Sequence, residues 1–141
     1  MLAVVIGALV AGCSSTPRPP EPDRIDVTLT ASRDRVKNAV TDVLARGGYE
    51  VEWTDEENLS TGYRADIPGP WDWILHWRFG TIKSRVEAVV TPATDESTRL
   101  RLDVLSEGKD GLFTSWDNVQ SALPQSAENQ LRLIKKELQI L

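Results

Sequence analysis

Cysteine, histidine and methionine are each present once in this 141-residue chain. A single thiol cannot close an intrachain disulfide, so the fold has to stand without covalent cross-links. A zinc site needs several nitrogen, sulfur or carboxylate ligands; with His76 and Cys13 the only residues of their types, no metal is expected. No serine sits in a Gly-x-Ser-x-Gly elbow, and there is no glycine-rich phosphate loop or ligand spacing of a known metal motif, so no cofactor is expected either. The chain lacks an excess of positive charge: 16 Lys and Arg stand against 21 Asp and Glu, a formal net charge of −5. Such a balance gains nothing from counterion release, which excludes nucleic acid as the expected partner. It also argues against electrostatic docking on anionic lipid. Also missing is a membrane span: the longest apolar run, residues 2–12, is shorter than the roughly 20 residues needed to cross a bilayer.

What remains is enough for one ordinary domain. Hydrophobic residues make up 40% and charged residues 26% of the chain, the composition of a soluble globular body.

The short apolar run Leu-Ala-Val-Val-Ile-Gly-Ala-Leu-Val-Ala-Gly is followed by a polar break at Ser14, Ser15, Thr16 and Pro17. An apolar core ending in small residues is the pattern of a cleaved signal peptide. Within it, Leu9-Val10-Ala11-Gly12-Cys13 resembles the lipobox of bacterial lipoproteins. The resemblance implies that Val10, Ala11 and Gly12 are the signal-peptidase recognition residues. It also implies that Cys13 is acylated and becomes the first residue of the mature chain. Ser14 in the next position implies sorting to the outer membrane, with the domain on its periplasmic face. The other reading of the same run is an ordinary signal peptide with Cys13 incidental. Residues 13–24 then form a lipidated Cys and a Pro-rich linker. Proline fixes φ and removes donors, so this stretch is expected to be extended and to reach roughly 30 Å at ~3.1 Å per residue; the other reading is a disordered tail with no spacing role.

Residues 25–141 read as a single α+β domain. Ile25 to Ala31 alternate apolar and polar, a strand. Ser32 is placed to cap a helix carrying Val36, Ala39, Val40, Val43 and Leu44 on one face, closed by Gly47-Gly48. Tyr49, Val51 and Trp53 alternate with Glu50 and Glu52, and Asp55-Glu56-Glu57-Asn58 reads as a turn. Leu59, Thr61, Tyr63 and Ala65 continue the alternation. Pairing Trp53 with Leu59, Val51 with Thr61 and Tyr49 with Tyr63 sets every large apolar side chain on one face. Thr81–Thr91 and Thr98–Ser106 form a second hairpin, with Ile82, Val86, Ala88, Val90, Leu100, Leu102 and Val104 sharing a face. Opposing Glu87 to Arg101 and Arg85 to Asp103 avoids facing like charges, and that register is the expected one. A final helix over about 124–140 carries Ala127, Leu131, Ile134, Leu138 and Leu141 as its apolar stripe. The order β-α-β-β-β-β-α predicts an antiparallel sheet of about four or five strands with two helices on one face.

The stretch Arg46-Gly47-Gly48-Tyr49-Glu50-Val51, with Ser60-Thr61-Gly62-Tyr63 after an acidic turn, resembles the globular domains of BamC-like outer-membrane lipoproteins. It implies the same helix-Gly-strand-turn-strand unit and, for function, an accessory role in β-barrel assembly.

Residues 68–79 concentrate the aromatics: Trp71, Trp73, Leu75, Trp77 and Phe79 all fall on odd positions, one face of a strand. Beyond Gly80 the apolar parity is even. Either a bulge near Gly80 folds the segment over the core, or the tryptophans face away from it. In the second case Trp71, Trp73, Trp77 and Phe79, extended by Phe113 and Trp116, make a contact surface for an envelope protein partner or for the lipid headgroup region. His76 within this run is expected to be structural or exposed; the alternative is a hydrolase built on it. Asp55, Glu56, Glu57, Asp95 and Glu96 fall at turns and are expected to be solvated, not a general acid and base. The expected function is a membrane-anchored, non-enzymatic binding or scaffold domain with no small-molecule substrate identified.

Overall fold

The computed structural model describes residues 22–65, 81–109, 117–119 and 125–140. Among them run β1 (Asp23–Leu29), α1 (Arg33–Arg46), β2 (Val51–Trp53), β3 (Asn58–Thr61), β4 (Arg64–Ala65), β5 (Thr81–Pro92), β6 (Thr98–Lys109), β7 (Asp117–Val119) and α2 (Ala127–Leu138). The fold is α+β. Five strands lie in the order β1-β6-β5-β3-β2, with the short β4 added to β5 and β7 to β6. Every pairing is antiparallel.

Alternation divides the sheet into two unlike faces. Val86, Ala88 and Val90 of β5 and Leu100, Leu102 and Val104 of β6 are buried, together with Leu29 and Leu59. Over them lie Val36, Ala39, Val40, Val43 and Leu44 of α1 and Ala127, Leu131, Ile134 and Leu138 of α2, in one continuous cluster. Both helices therefore cover the same face, and burying each Leu or Ile contributes about 1.5–3 kcal/mol.

The helix ends follow local chemistry. Ser32 is the N-cap of α1, but its side chain makes no capping bond. At the other end Tyr49 N donates to Leu44 O and Gly48 N to Ala45 O, with Gly48 at φ +85°. This pair of bonds closes a helix through a left-handed residue, a conformation glycine adopts without a Cβ penalty. α2 starts later than the periodicity predicts, at Ala127. Ser126 Oγ accepts from Asn129 N and Asp23 Oδ2 accepts from Ala127 N at 2.7 Å. A carboxylate from β1 thus sits at the positive end of α2.

Four expectations need correction. The first strand starts at Asp23 and stops at Leu29. Ala31 lies in the bend that follows and is held by Thr98 Oγ1, which donates to its carbonyl at 2.7 Å. The β5–β6 register is the two-residue slip: Glu87 opposes Asp103, Val89 opposes Arg101 and Arg85 opposes Leu105. The reason is that β6 has a neighbour on each side. Asp103 opposes Arg24 of β1, and is ion-paired to it and to Arg101 along its own strand, so facing Glu87 is no longer prohibitive. The connection adds its own constraint, because Ala93 N and Thr94 N both donate to Ser97 O.

Tyr63 does not join the core with Tyr49. Leu59 opposes Ala88, but Arg64 opposes Ser84, so β3 and β4 together hold one residue more than β5 does. This bulge at Gly62–Tyr63 turns Tyr63 to the open face and Arg64 to the helix side. The predicted pairs Trp53–Leu59 and Val51–Thr61 are present. Ile82, placed with the core by parity, is 47% exposed at the end of β5.

Candidate functional site

Cys13 and the recognition residues Val10, Ala11 and Gly12 lie outside the described residues, as do Trp71, Trp73, Trp77, Phe79, Phe113, Trp116 and His76. The expected break near Gly80 lies outside them too. The described residues offer two polar surfaces instead, one on each side of the sheet.

The first is the open sheet face. Strand parity places Arg24 and Asp26 of β1, Arg99, Arg101, Asp103 and Glu107 of β6, and Lys83, Arg85 and Glu87 of β5 on it. Arg99 grips Asp26 with two hydrogen bonds of 2.8 and 2.7 Å. That contact holds the Asp26 carboxyl below the usual carboxylate range and raises the guanidinium further. Lys83 Nζ lies 2.9 Å from Glu107 Oε2, and Tyr63 donates its hydroxyl to Glu107 Oε1 at 2.7 Å. Above the Tyr63 ring stand Lys83 Nζ at 4.3 Å and Arg85 Cζ at 5.3 Å. The Lys83 and Tyr63 bonds lower the Glu107 carboxyl, and the same carboxylate raises the Tyr63 phenol. Cations and carboxylates alternate here, and the ion pairs Arg24–Asp103, Arg99–Asp26, Lys83–Glu107 and Arg85–Glu87 take up most of the charge, while Arg85 Nε is left without a partner among the described residues.

The second surface is a crevice of about 450 Å³ between the end of α1, the length of α2 and Arg64. Val43 and Leu133 supply apolar wall; Arg46, Arg64 and Lys136 bring positive charge to it, and Glu137 one negative charge. Arg46 is spent on Glu137, to which its Nη2 is bonded. Arg64 lies over the Tyr49 ring at 5.7 Å and beside Gly48, where an added Cβ would stand 3.5 Å from Arg64 Nε. Tyr49 itself is buried with its hydroxyl 2.8 Å from Ser84 Oγ. Gln130, 5% exposed, lines the crevice from α2.

The acidic turn residues are placed as follows. Asp55 Oδ1 accepts from Glu57 N and Asn58 N, each at 2.8 Å, which keeps its carboxyl ionised below the usual range. A carboxylate so bonded shapes a turn and is a poor proton donor. Asp95 and Glu96 are exposed in the β5–β6 connection. Among the described residues no cluster of three or more His, Cys, Asp or Glu side chains is arranged to hold a metal ion. No helix among them is long and apolar enough to cross a membrane.

Sequence reasoning missed the crevice. Its one legible signal is Gln130, a polar residue three positions from Ala127 and four from Ile134, inside the apolar stripe of α2.

No protein-family model matches the chain, and no curated protein matches it. A conserved protein from Geobacillus kaustophilus, known from its crystal structure, is similar at a TM-score of 0.44 and 16% identity, over 82% of this chain and 93% of that one.

Proposed function

We propose that this protein is a membrane-anchored lipoprotein of the bacterial envelope whose α+β body serves as a non-enzymatic binding domain. The observation that carries the proposal is the run Leu9-Val10-Ala11-Gly12-Cys13, with an apolar stretch before it and a Pro-rich stretch after it. Acyl chains contribute ~0.8 kcal/mol per buried CH₂, and stable anchoring takes more than one of them, as a lipobox cysteine would carry. The Pro-rich stretch would hold the body near the outer membrane, on its periplasmic side, where an envelope protein can reach it. Two features support binding over catalysis. The charged groups of the open sheet face are already paired with one another, and the Asp55 turn carboxylate is committed to backbone amides.

The full-length chain expressed in a Gram-negative bacterium should gain acyl mass on Cys13 and fractionate with membranes, and Cys13→Ser should release it. Unmodified mass, or membrane retention of Cys13→Ser, would reject the anchor. An accessory role in β-barrel assembly is a second reading, favoured by the α1–Gly48–β2–turn–β3 order alone. Recovery of the protein with the barrel-assembly complex from solubilised membranes would support it, and recovery apart from that complex would reject it.

A further inference from the structure

β1 forms one edge of the sheet, and no described strand lies beyond it. Which of its backbone groups face outward follows from the neighbouring ladders, because successive residues of a strand turn their N–H and C=O to opposite sides. Val90 N donates to Glu57 O, so even-numbered residues of β5 turn toward β3 and odd-numbered ones toward β6. The register sets odd residues of β5 against odd residues of β6, which leaves Thr98, Leu100, Leu102 and Val104 to bond β1. Those four oppose Leu29, Val27, Ile25 and Asp23. Arg24, Asp26 and Thr28 therefore aim their backbone groups away from the sheet, and all three residues are exposed.

The opposite edge of the sheet, β2, is only three residues long, and short edges resist pairing with another chain. β1 runs for seven residues in unbroken register, with no proline inside it. Ile25 and Val27 pack against the core from this edge but stay half-buried.

The charges along β1 are self-complementary. When two copies pair antiparallel about a two-fold axis at Ile25, Arg24 of each copy opposes Asp26 of the other. The strands behind extend the pattern, because Arg101 opposes Asp26 and Asp103 opposes Arg24. The row across the joint then reads Arg101, Asp26 from one copy and Arg24, Asp103 from the other, alternating in sign. Arg24 does not have to leave Asp103, nor Asp26 leave Arg99, for this row to form. Moving the axis one residue either way sets Arg24 against Arg24 or Asp26 against Asp26, and opposed like charges destabilise. The favoured register also suits the backbone: Arg24 and Asp26 carry the outward groups, and Ile25 meets its counterpart at the close, non-hydrogen-bonded spacing.

We propose that β1 is the interface of a two-fold homodimer in which the two sheets join edge to edge around Ile25. A strand of an unrelated protein would meet the same backbone groups without this two-fold match of charge. The proposal stands on the described domain and is independent of the lipid anchor, so either can fail without the other. One strand pair is a small interface beside the roughly 1,200 Å² of a stable complex, so dimer and monomer should exchange as concentration changes.

The test uses the full chain with Cys13→Ser, which removes its only thiol. Sedimentation equilibrium should show a reversible monomer–dimer equilibrium. Arg24→Glu and Asp26→Arg should each weaken association at least about tenfold, because each sets like charges across the joint. An equimolar mixture of these two variants should regain the dimer, since each supplies the charge that the other needs. Ile25→Cys should oxidise to a covalent dimer and Val27→Cys should not, because two Val27 residues would stand about 13 Å apart, beyond the reach of a disulfide. The proposal is overturned if the parent chain stays monomeric at all concentrations, if both charge variants dimerise as the parent does, if their mixture stays monomeric, or if Val27→Cys cross-links as readily as Ile25→Cys. Should a charge variant lose its cooperative thermal transition, the two cysteine variants decide alone: cross-linking at Ile25 and not at Val27 supports the interface, and any other pattern rejects it.

Discussion

Among the described residues, Tyr63 offers a pH dependence with two limbs. Its hydroxyl donates to Glu107, which also accepts from Lys83; these bonds hold the carboxyl below its ordinary range, Lys83 first, and raise the phenol. A carboxylate lowered by folding stabilises above its unfolded pKa and stops doing so as pH falls through the folded value. A phenol raised by folding stabilises below its unfolded pKa and stops as pH rises through the folded value. The contact is thus at full strength between about pH 5 and about pH 9 and fades on both sides. Tyr63→Phe should lower the melting temperature most within that window, and the gap to the native protein should narrow below about pH 4 and above about pH 10. Being at the surface, the contact is worth under about 1 kcal/mol. Circular dichroism melts across the pH range would show it, and a gap constant with pH would refute the assignment. The same residue shows where reading the chain failed. Strict alternation put Tyr63 inward with Leu59 and Thr61, and only the extra residue beside Gly62 reverses it. A glycine inside a strand pattern is a hint of such a bulge, but it does not say in which direction the parity will change.

At the level of elements, the two helices make a controlled comparison of capping. Both are preceded by serine, but Ser126 Oγ accepts from Asn129 N whereas the Ser32 side chain makes no capping bond. Ser126→Ala should therefore cost about 1 kcal/mol and Ser32→Ala only a small fraction of that, measured as unfolding free energies in urea. Equal losses would mean that the hydroxyl bond to Asn129 is not what caps α2. The helical faces were legible because burial repeats at helical spacing: Val36, Ala39, Val40, Val43 and Leu44 are the buried residues of α1. The pairs Trp53–Leu59 and Val51–Thr61 of the β2–β3 hairpin were legible because strand side chains alternate with period two. The β5–β6 register was not, because a two-strand charge argument omits the third strand. Arg24, 79 residues away in sequence, is what compensates Asp103. Long-range neighbours of that kind leave no trace in local pattern.

For the molecule as a whole, β6 is the strand on which everything else is assembled. It pairs with β1 on one side, β5 on the other and β7 at its end, and both helices lie over its inward side chains. Leu100 of β6 is fully buried at the centre of this arrangement. Leu100→Ala should cost about 2–5 kcal/mol and lower the urea midpoint without changing the slope of the transition. A loss below about 1 kcal/mol would mean that the core relaxes around the gap. The class of fold and the inward residues of both helices, with Val86, Ala88, Val90, Leu100, Leu102 and Val104 of the sheet, were readable from pattern, whereas Tyr63 and Ile82 were not. The crevice was not, because it depends on Arg64, Gln130 and Lys136 converging from elements whose relative placement only the folded sheet defines.

The single surplus residue between β3 and β4 has an effect out of proportion to its size. It acts as a half-step in the weave of the chain: upstream of it odd-numbered side chains look toward the helices, and downstream of it even-numbered ones do. With one residue fewer, the guanidinium of Arg64 and the ring of Tyr63 would trade sides, and the molecule would lose a cation from its sheltered flank and an aromatic from its open one in the same stroke.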